Sequence, residues 1–201
     1  PIANIQPREG SRTSTQTPTK VQKPITIFSP KTFSIQRIKK HSILGSNYTF
    51  ILIRNGQPFL YSKCNARHPK NFMNLSEDST FTKLTEYTFI PENSCKKFTL
   101  YKSGKTQLTY TIEIPNRVPK LPRLKIQLED SFEFNPKVLV SKRPTMSKKG
   151  FFFLDFHNKF TLPSQKNAVF INDSPDGADN DLLIVRKVEK DRIEIDVNCE
   201  Q

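Results

Sequence analysis

Residues 154–161 read Leu-Asp-Phe-His-Asn-Lys-Phe-Thr, and residues 164–168 continue with Ser-Gln-Lys-Asn-Ala. The apolar pattern predicts strands over 151–156 and 159–162. Asp155 and His157 would then share one strand face, where a carboxylate could orient an imidazole. Such a pair is more often a hydrogen bond at a strand end, so we take the stretch as information about fold and not as an active site.

Outward from this stretch, the chain from Phe33 onward is a series of short β-rich runs separated by turn signals. Two of these signals, Arg54-Asn55-Gly56-Gln57 and Lys102-Ser103-Gly104-Lys105, suit tight hairpins. About a dozen strands at this spacing predict an antiparallel barrel or sandwich. The predicted strands cover residues 33–38, 48–54, 58–63, 87–90, 97–102, 107–114, 123–128, 151–156, 159–162, 168–171, 182–186 and 193–197.

The N-terminal part of the chain has a different amino-acid composition. Residues 1–31 hold 5 of the 15 prolines and few aliphatic residues, so they cannot bury enough apolar surface to offset their ordering entropy. We predict a disordered basic tail over 1–31, in which 25–28 could form a short docking strand, and one folded β domain over 32–201.

The charge of the chain is unevenly distributed. Residues 1–170 carry 28 basic and 10 acidic side chains, whereas the last 31 residues carry 4 and 9, and the net charge is +13. Such an asymmetry favours an anionic partner, either a membrane headgroup or nucleic acid. Tryptophan is absent and only 35% of the residues are apolar, so the core must depend on the 16 phenylalanines with Ile, Leu and Val.

Catalytic and metal-binding patterns are not apparent. His41, His68 and His157 have no partner at a recognised spacing, and no phosphate-binding glycine loop or nucleophile motif occurs. We therefore expect no enzyme and no cofactor. The acidic stretch 172–181 resembles a calcium loop but lacks the final glutamate, which favours a solvated turn.

The cysteines and the hydropathy bear on location. Cys64, Cys95 and Cys199 are odd in number and widely spaced, which fits neither a disulfide framework nor a zinc site and suggests a reducing compartment. No apolar run approaches the roughly 18 residues needed to span a bilayer.

Four stretches carry a further signal. They are 33–63 with Asn-Phe-Met-Asn-Leu-Ser at 71–76, Lys-Phe-Thr-Leu-Tyr-Lys-Ser-Gly at 97–104, Leu-Thr-Tyr at 108–110 with Lys-Leu-Pro-Arg at 120–123, and Lys-Arg-Pro at 142–144 with the run from 154 to 167. Together they resemble the tubby C-terminal domain, whose signature reads Asn-Phe-His-Gly-Arg-Val followed by Ser-Val-Lys-Asn. Where the family usually has glycine this chain has Asn158, the non-glycine residue type that best tolerates positive φ.

The resemblance implies a closed barrel of twelve mostly antiparallel strands around a central helix. It also implies a noncatalytic, monomeric adaptor that binds phosphatidylinositol 4,5-bisphosphate in a basic pocket at the inner face of the plasma membrane. Family members link membranes to protein cargo, including ciliary trafficking machinery, and some have been proposed as nuclear regulators.

Carried over by residue, the family's headgroup contacts correspond to Asn71 and Arg123, with Lys120 nearby. The family's Lys-Leu-Arg strand corresponds to Thr88 and Ile90 without gaps, or to Lys83 and Thr85 with one gap. We prefer the gapped alignment because a longer hairpin is easily accommodated. An arginine is missing in both cases, which predicts weaker headgroup binding.

The resemblance departs from the family at the C-terminus. The family ends in an apolar helix that fills the barrel, whereas this sequence stops at residues 198–201, about where that helix would begin. Either the sequence is truncated, or the barrel is divergent, open or filled by a partner. Two other functions stay open as alternatives: a nucleic-acid-binding or transcription-linked protein, and a barrel that carries a hydrophobic ligand.

Overall fold

A computed structural model describes residues 31–42, 45–65, 73–116, 121–131, 134–173 and 180–198. These residues form fourteen strands and one short 3-10 turn, Asn93–Cys95. The strands are β1 Lys31–Ser42, β2 Gly45–Arg54, β3 Gln57–Asn65, β4 Met73–Ser76, β5 Leu84–Glu92, β6 Lys97–Lys102, β7 Lys105–Glu113, β8 Arg123–Leu128, β9 Val138–Ser141, β10 Thr145–Met146, β11 Phe152–Phe153, β12 Ala168–Asn172, β13 Leu183–Glu189 and β14 Arg192–Val197.

Twelve of these strands close into one barrel, which confirms the predicted fold class. The order around the barrel is β1-β14-β13-β12-β9-β8-β7-β6-β5-β4-β3-β2, and every neighbouring pair is antiparallel. The first and last strands close the ring, with Phe33 opposite Ile195 and Ile35 opposite Ile193. Closure leaves no unpaired sheet edge in the barrel.

The two predicted hairpin turns are confirmed by their backbone angles. Asn55 and Gly56 have φ of 50° and 75°, and Ser103 and Gly104 have φ of 48° and 77°. Positive φ at both central residues matches the right-handed twist of the flanking strands, which is why asparagine, serine and glycine stand there.

One face of the barrel strands is predominantly apolar and forms the interior. It includes the stacked rings of Phe89 and Phe98, 5.4 Å between centroids, and a fully buried cluster of Leu139, Ala168 and Phe170. Most other inward side chains are only half-buried. No α-helix occurs among the described residues, so none of them supplies the central helix that the resemblance implies.

Two predicted strands were wrong and two barrel strands were missed. Residues 151–156 contribute only the two-residue β11, and 159–162 are not a strand, because the chain leaves the barrel between β9 and β12. The missed strands are β4 and β9, each only 4 residues long and too short to show an alternating pattern.

The first strand that the structure describes, β1, begins at Lys31. The predicted tail over 1–30, including the docking strand at 25–28, lies outside the described residues. No helix in the described part of the chain has both the length and the hydropathy that crossing a bilayer requires.

Candidate anion-binding face

Residues 142–167, here called the covering segment, contact β12, β13 and β14. Three hydrogen bonds that involve backbone atoms fix the path of this segment. Arg186 Nη1 donates to the Phe160 carbonyl over 2.9 Å, the Leu162 N–H donates to the Lys187 carbonyl over 2.7 Å, and the Lys187 N–H donates to Asn167 Oδ1 over 2.8 Å. The covering segment therefore has a defined position although it contains little regular structure.

A buried charge network holds the same segment. Arg186 and Asp196 are 5% and 1% exposed, and Arg186 Nη2 lies 3.1 Å from Asp196 Oδ2. Lys159 of the covering segment adds a second cation, with Nζ 3.0 Å from the same oxygen, and Thr32 donates to Asp196 Oδ1 over 2.8 Å. Burial alone would raise the pKa of Asp196, but the hydrogen bonds from Lys159 and Thr32 and the neighbouring cations hold it below its ordinary value.

The turn at the centre of the quoted stretch explains its sequence. His157 and Asn158 have φ of 53° and 60°, so the asparagine stands at a left-handed position where glycine would also fit. Asp155 Oδ1 accepts the His157 backbone N–H over 2.8 Å, as in an Asx turn. The predicted shared strand face of Asp155 and His157 was wrong, because neither residue lies in a strand. Their hydrogen bond runs from the His157 backbone, and the His157 ring contacts Asp181.

Three cations converge where β8 begins and β9 ends. Arg123 is the first residue of β8, and Lys142 and Arg143 directly follow β9. All three line one cleft of about 710 Å³, here called the cation cleft, together with the half-buried Leu121 and the exposed Ile114. The register of β7, β8 and β9 brings these side chains together although they are distant in sequence.

Carboxylates from the end of β12 and the start of β13 compensate part of this charge. Arg123 Nη2 lies 3.1 Å from Asp173 Oδ1, and Lys142 Nζ lies 2.7 Å from Asp181 Oδ1. His157 Nε2 lies 2.7 Å from the other oxygen of Asp181. Arg143 is exposed and has no carboxylate within ion-pair distance in the part of the chain that the structure describes.

An apolar groove adjoins the cation cleft. It has a volume of about 640 Å³ and shares Ser141, Lys142 and Pro144 with that cleft. Phe152, Phe153 and other apolar side chains of the covering segment form its wall. Cationic and apolar surfaces therefore meet along a single side of the barrel.

The structure separates the sequence-predicted site residues that it describes. Lys83 directly precedes β5. It lies at the end of the barrel that holds the turn between β6 and β7, where the Ser103 N–H donates to the Glu86 carbonyl over 3.0 Å. Arg123 pairs with Glu113, the last residue of β7, at the opposite end. Lys83 and Arg123 therefore cannot contact one headgroup, and Asn71 and Lys120 lie outside the described residues.

The turn that carries Lys83 has its own structural role. Asp78 Oδ1 accepts the Lys83 backbone N–H over 2.8 Å, and the Asp78 carboxylate also accepts hydroxyl hydrogen bonds from Thr80, Ser76 and Thr82. These bonds, with Thr80 foremost, hold the pKa of Asp78 well below its usual range. The Lys83 side chain itself is exposed. Thr88 and Ile90 of the ungapped alignment lie within β5 and bring no cation.

Lys142 and Arg143 are the site residues that sequence reasoning missed. The signal was present as Lys-Arg-Pro directly after Val-Leu-Val-Ser at 138–141, but that strand was itself not predicted. No group of three or more His, Cys, Asp or Glu side chains among the described residues is arranged to hold a metal ion. The thiols of Cys64 and Cys95 are free.

Neither protein-family models nor curated proteins give a match to this chain. The tubby resemblance thus rests on the residues quoted for it.

Proposed function

We propose that this protein is a noncatalytic module that binds phosphoinositide headgroups, with phosphatidylinositol 4,5-bisphosphate as the lipid, at the surface of an anionic membrane. The observation that carries the proposal is the convergence of Arg123, Lys142 and Arg143 on one cleft beside an apolar groove. The closed twelve-stranded barrel agrees with the fold that the resemblance implies.

The chemistry of the cation cleft suits a phosphate group. A guanidinium presents two parallel N–H groups to a phosphate, and an exposed Arg143 without a carboxylate partner among the described residues can make that contact without first breaking an ion pair. Arg123 and Asp173 are each about 40% exposed at the side chain, so their pair is weak and exchangeable. Lys142, which is paired with Asp181, adds a third cationic side chain to the same cleft.

Membrane attachment by one side of the barrel would leave the rest of the surface for a protein partner. We therefore propose an adaptor role, with protein cargo or trafficking machinery as the second ligand and the cytoplasmic leaflet as its place of action. The net charge of +13 adds a sequence-independent attraction to that leaflet.

Cosedimentation with vesicles of equal charge tests the proposal. One set contains phosphatidylinositol 4,5-bisphosphate and the other contains phosphatidylserine at matched surface charge. The proposal predicts tighter binding to the first set, and lower binding by Arg123→Gln on that set alone. Equal binding to both sets, or binding to duplex DNA at physiological salt with no vesicle binding, would overturn it in favour of general charge attraction or nucleic-acid binding.

A further inference from the structure

The hairpin of β10 and β11 exposes an unusual amount of apolar surface. Met146, Phe151, Phe152 and Phe153 are 64%, 71%, 43% and 52% exposed, and all four fall within eight residues of the chain. A soluble surface tolerates single exposed apolar residues, but a contiguous group of this kind marks an interaction site.

The hairpin is held in shape by its own backbone. Met146 pairs with Phe152 and Thr145 with Phe153, and these two strands pair only with each other. The Ser147 N–H donates to the Phe151 carbonyl over 2.8 Å, and Gly150, at φ 81°, closes the turn. The phenylalanines are therefore exposed by an ordered turn outside the barrel.

Cations surround this apolar tip. Lys148 and Lys149 lie in the turn itself and are both exposed, and Arg143 lies two residues before β10. Phe153 lines both the apolar groove and a cleft of about 540 Å³ that also contains Arg123 and Arg143. Aromatic side chains flanked by lysine and arginine match the interface of an anionic bilayer, where rings lie at headgroup level and cations meet phosphates.

We propose that the β10–β11 hairpin inserts into the bilayer interface, with Met146, Phe151 and Phe152 below the headgroups and Lys148 and Lys149 at the phosphate level. This inference rests on the proposed function, because it places the hairpin beside a headgroup in the cation cleft. Insertion supplies an affinity that does not depend on headgroup identity, while the cleft supplies lipid selectivity.

The absence of tryptophan from the chain gives a direct test. Phe152→Trp places a single fluorophore in the hairpin, and Phe59→Trp places one at a site that is 50% exposed on β3, six strands away from β9 around the barrel. On anionic vesicles we expect the emission of the Phe152→Trp variant to shift to the blue and to be quenched by lipids brominated near the glycerol end of the acyl chain. The emission of the Phe59→Trp variant stays unchanged.

A second measurement uses binding itself. Phe151→Ser with Phe152→Ser lowers vesicle affinity about tenfold or more, since each ring loses its transfer from water. The pair is exposed, so circular dichroism and thermal midpoint should match wild type.

The outcomes separate the insertion from the headgroup proposal. Binding to phosphoinositide vesicles without any emission shift in the Phe152→Trp variant would overturn the insertion and leave the headgroup proposal standing. A shift that is equal on phosphatidylserine and phosphoinositide vesicles, with equal affinity for both, supports insertion while contradicting the headgroup proposal. Self-association through the hairpin without vesicle binding would overturn both.

Discussion

The ammonium group of Lys159 lies 3.0 Å from the carboxylate of Asp196, and this contact joins the covering segment to β14. Asp196 is 1% exposed and also contacts Arg186. One carboxylate therefore forms ion pairs with two cations from different parts of the chain. Lys142 and Arg143 stand at the start of the covering segment, so this contact anchors the chain that continues from the cation cleft.

Removal of the Asp196 charge should destabilise the fold. Asp196→Asn leaves the buried Arg186 with Glu194, 2.9 Å from Nη2, as its remaining carboxylate partner, and we expect a loss of about 1.5–3 kcal/mol in the free energy of unfolding. Urea denaturation at pH 7 measures it. Asp173→Asn, which removes the half-exposed partner of Arg123, is the matched control and should cost under about 1 kcal/mol. Equal effects of the two substitutions would contradict the buried role of Asp196.

The same carboxylate predicts a pH dependence. Because the folded state holds the pKa of Asp196 below its ordinary value, its contribution to stability is complete above the unfolded pKa of about 3.9. That contribution is lost as the pH falls through the lower, folded pKa. The stability difference between wild type and Asp196→Asn should therefore shrink below pH 4, as measured by urea midpoints from pH 6 to pH 2. A difference that is constant over this range would refute the assignment.

The left-handed backbone conformation of Asn158 predicts how strongly different substitutions at this position lower the free energy of unfolding. Asn158→Gly should change the unfolding free energy by less than about 0.5 kcal/mol, because glycine adopts φ 60° without strain. Asn158→Val should cost about 1–2 kcal/mol or more, because a β-branched side chain crowds the backbone there. Asn47→Val, at an exposed position of strand β2, controls for the change of side chain and should be near neutral. Equal costs at Asn47 and Asn158 would count against a left-handed backbone.

Much of the fold could be predicted from local sequence. The Asn55-Gly56 and Ser103-Gly104 turns need positive φ, and only a few residue types allow it, so the hairpins could be recognised from the sequence. Strand β6, which ends at the Ser103-Gly104 turn, has the predicted bounds for this reason, and β8 also has its predicted bounds. Short β9 escaped detection because its four residues are covered on both faces and show no alternation.

The candidate site was less predictable because it depends on register. The alignment predicts both Lys83 and Arg123 as headgroup contacts. The antiparallel course of β5 to β8 places them at opposite ends of the barrel. Lys142 and Arg143 meet Arg123 only through the pairing of β8 with β9. Such long-range pairing is set by the closed barrel as a whole, and no local pattern reports it.

The central claim is that the cation cleft, and not the Lys83 turn, contacts the headgroup. Arg143→Gln and Lys83→Gln each remove one exposed positive charge, from opposite ends of the barrel. Affinity for vesicles that contain phosphatidylinositol 4,5-bisphosphate, measured at physiological salt, should fall about tenfold or more with Arg143→Gln. It should stay within about twofold of wild type with Lys83→Gln, because that site loses only a distant, screened charge. A tenfold loss with Lys83→Gln, or no difference between the two variants, would contradict the account.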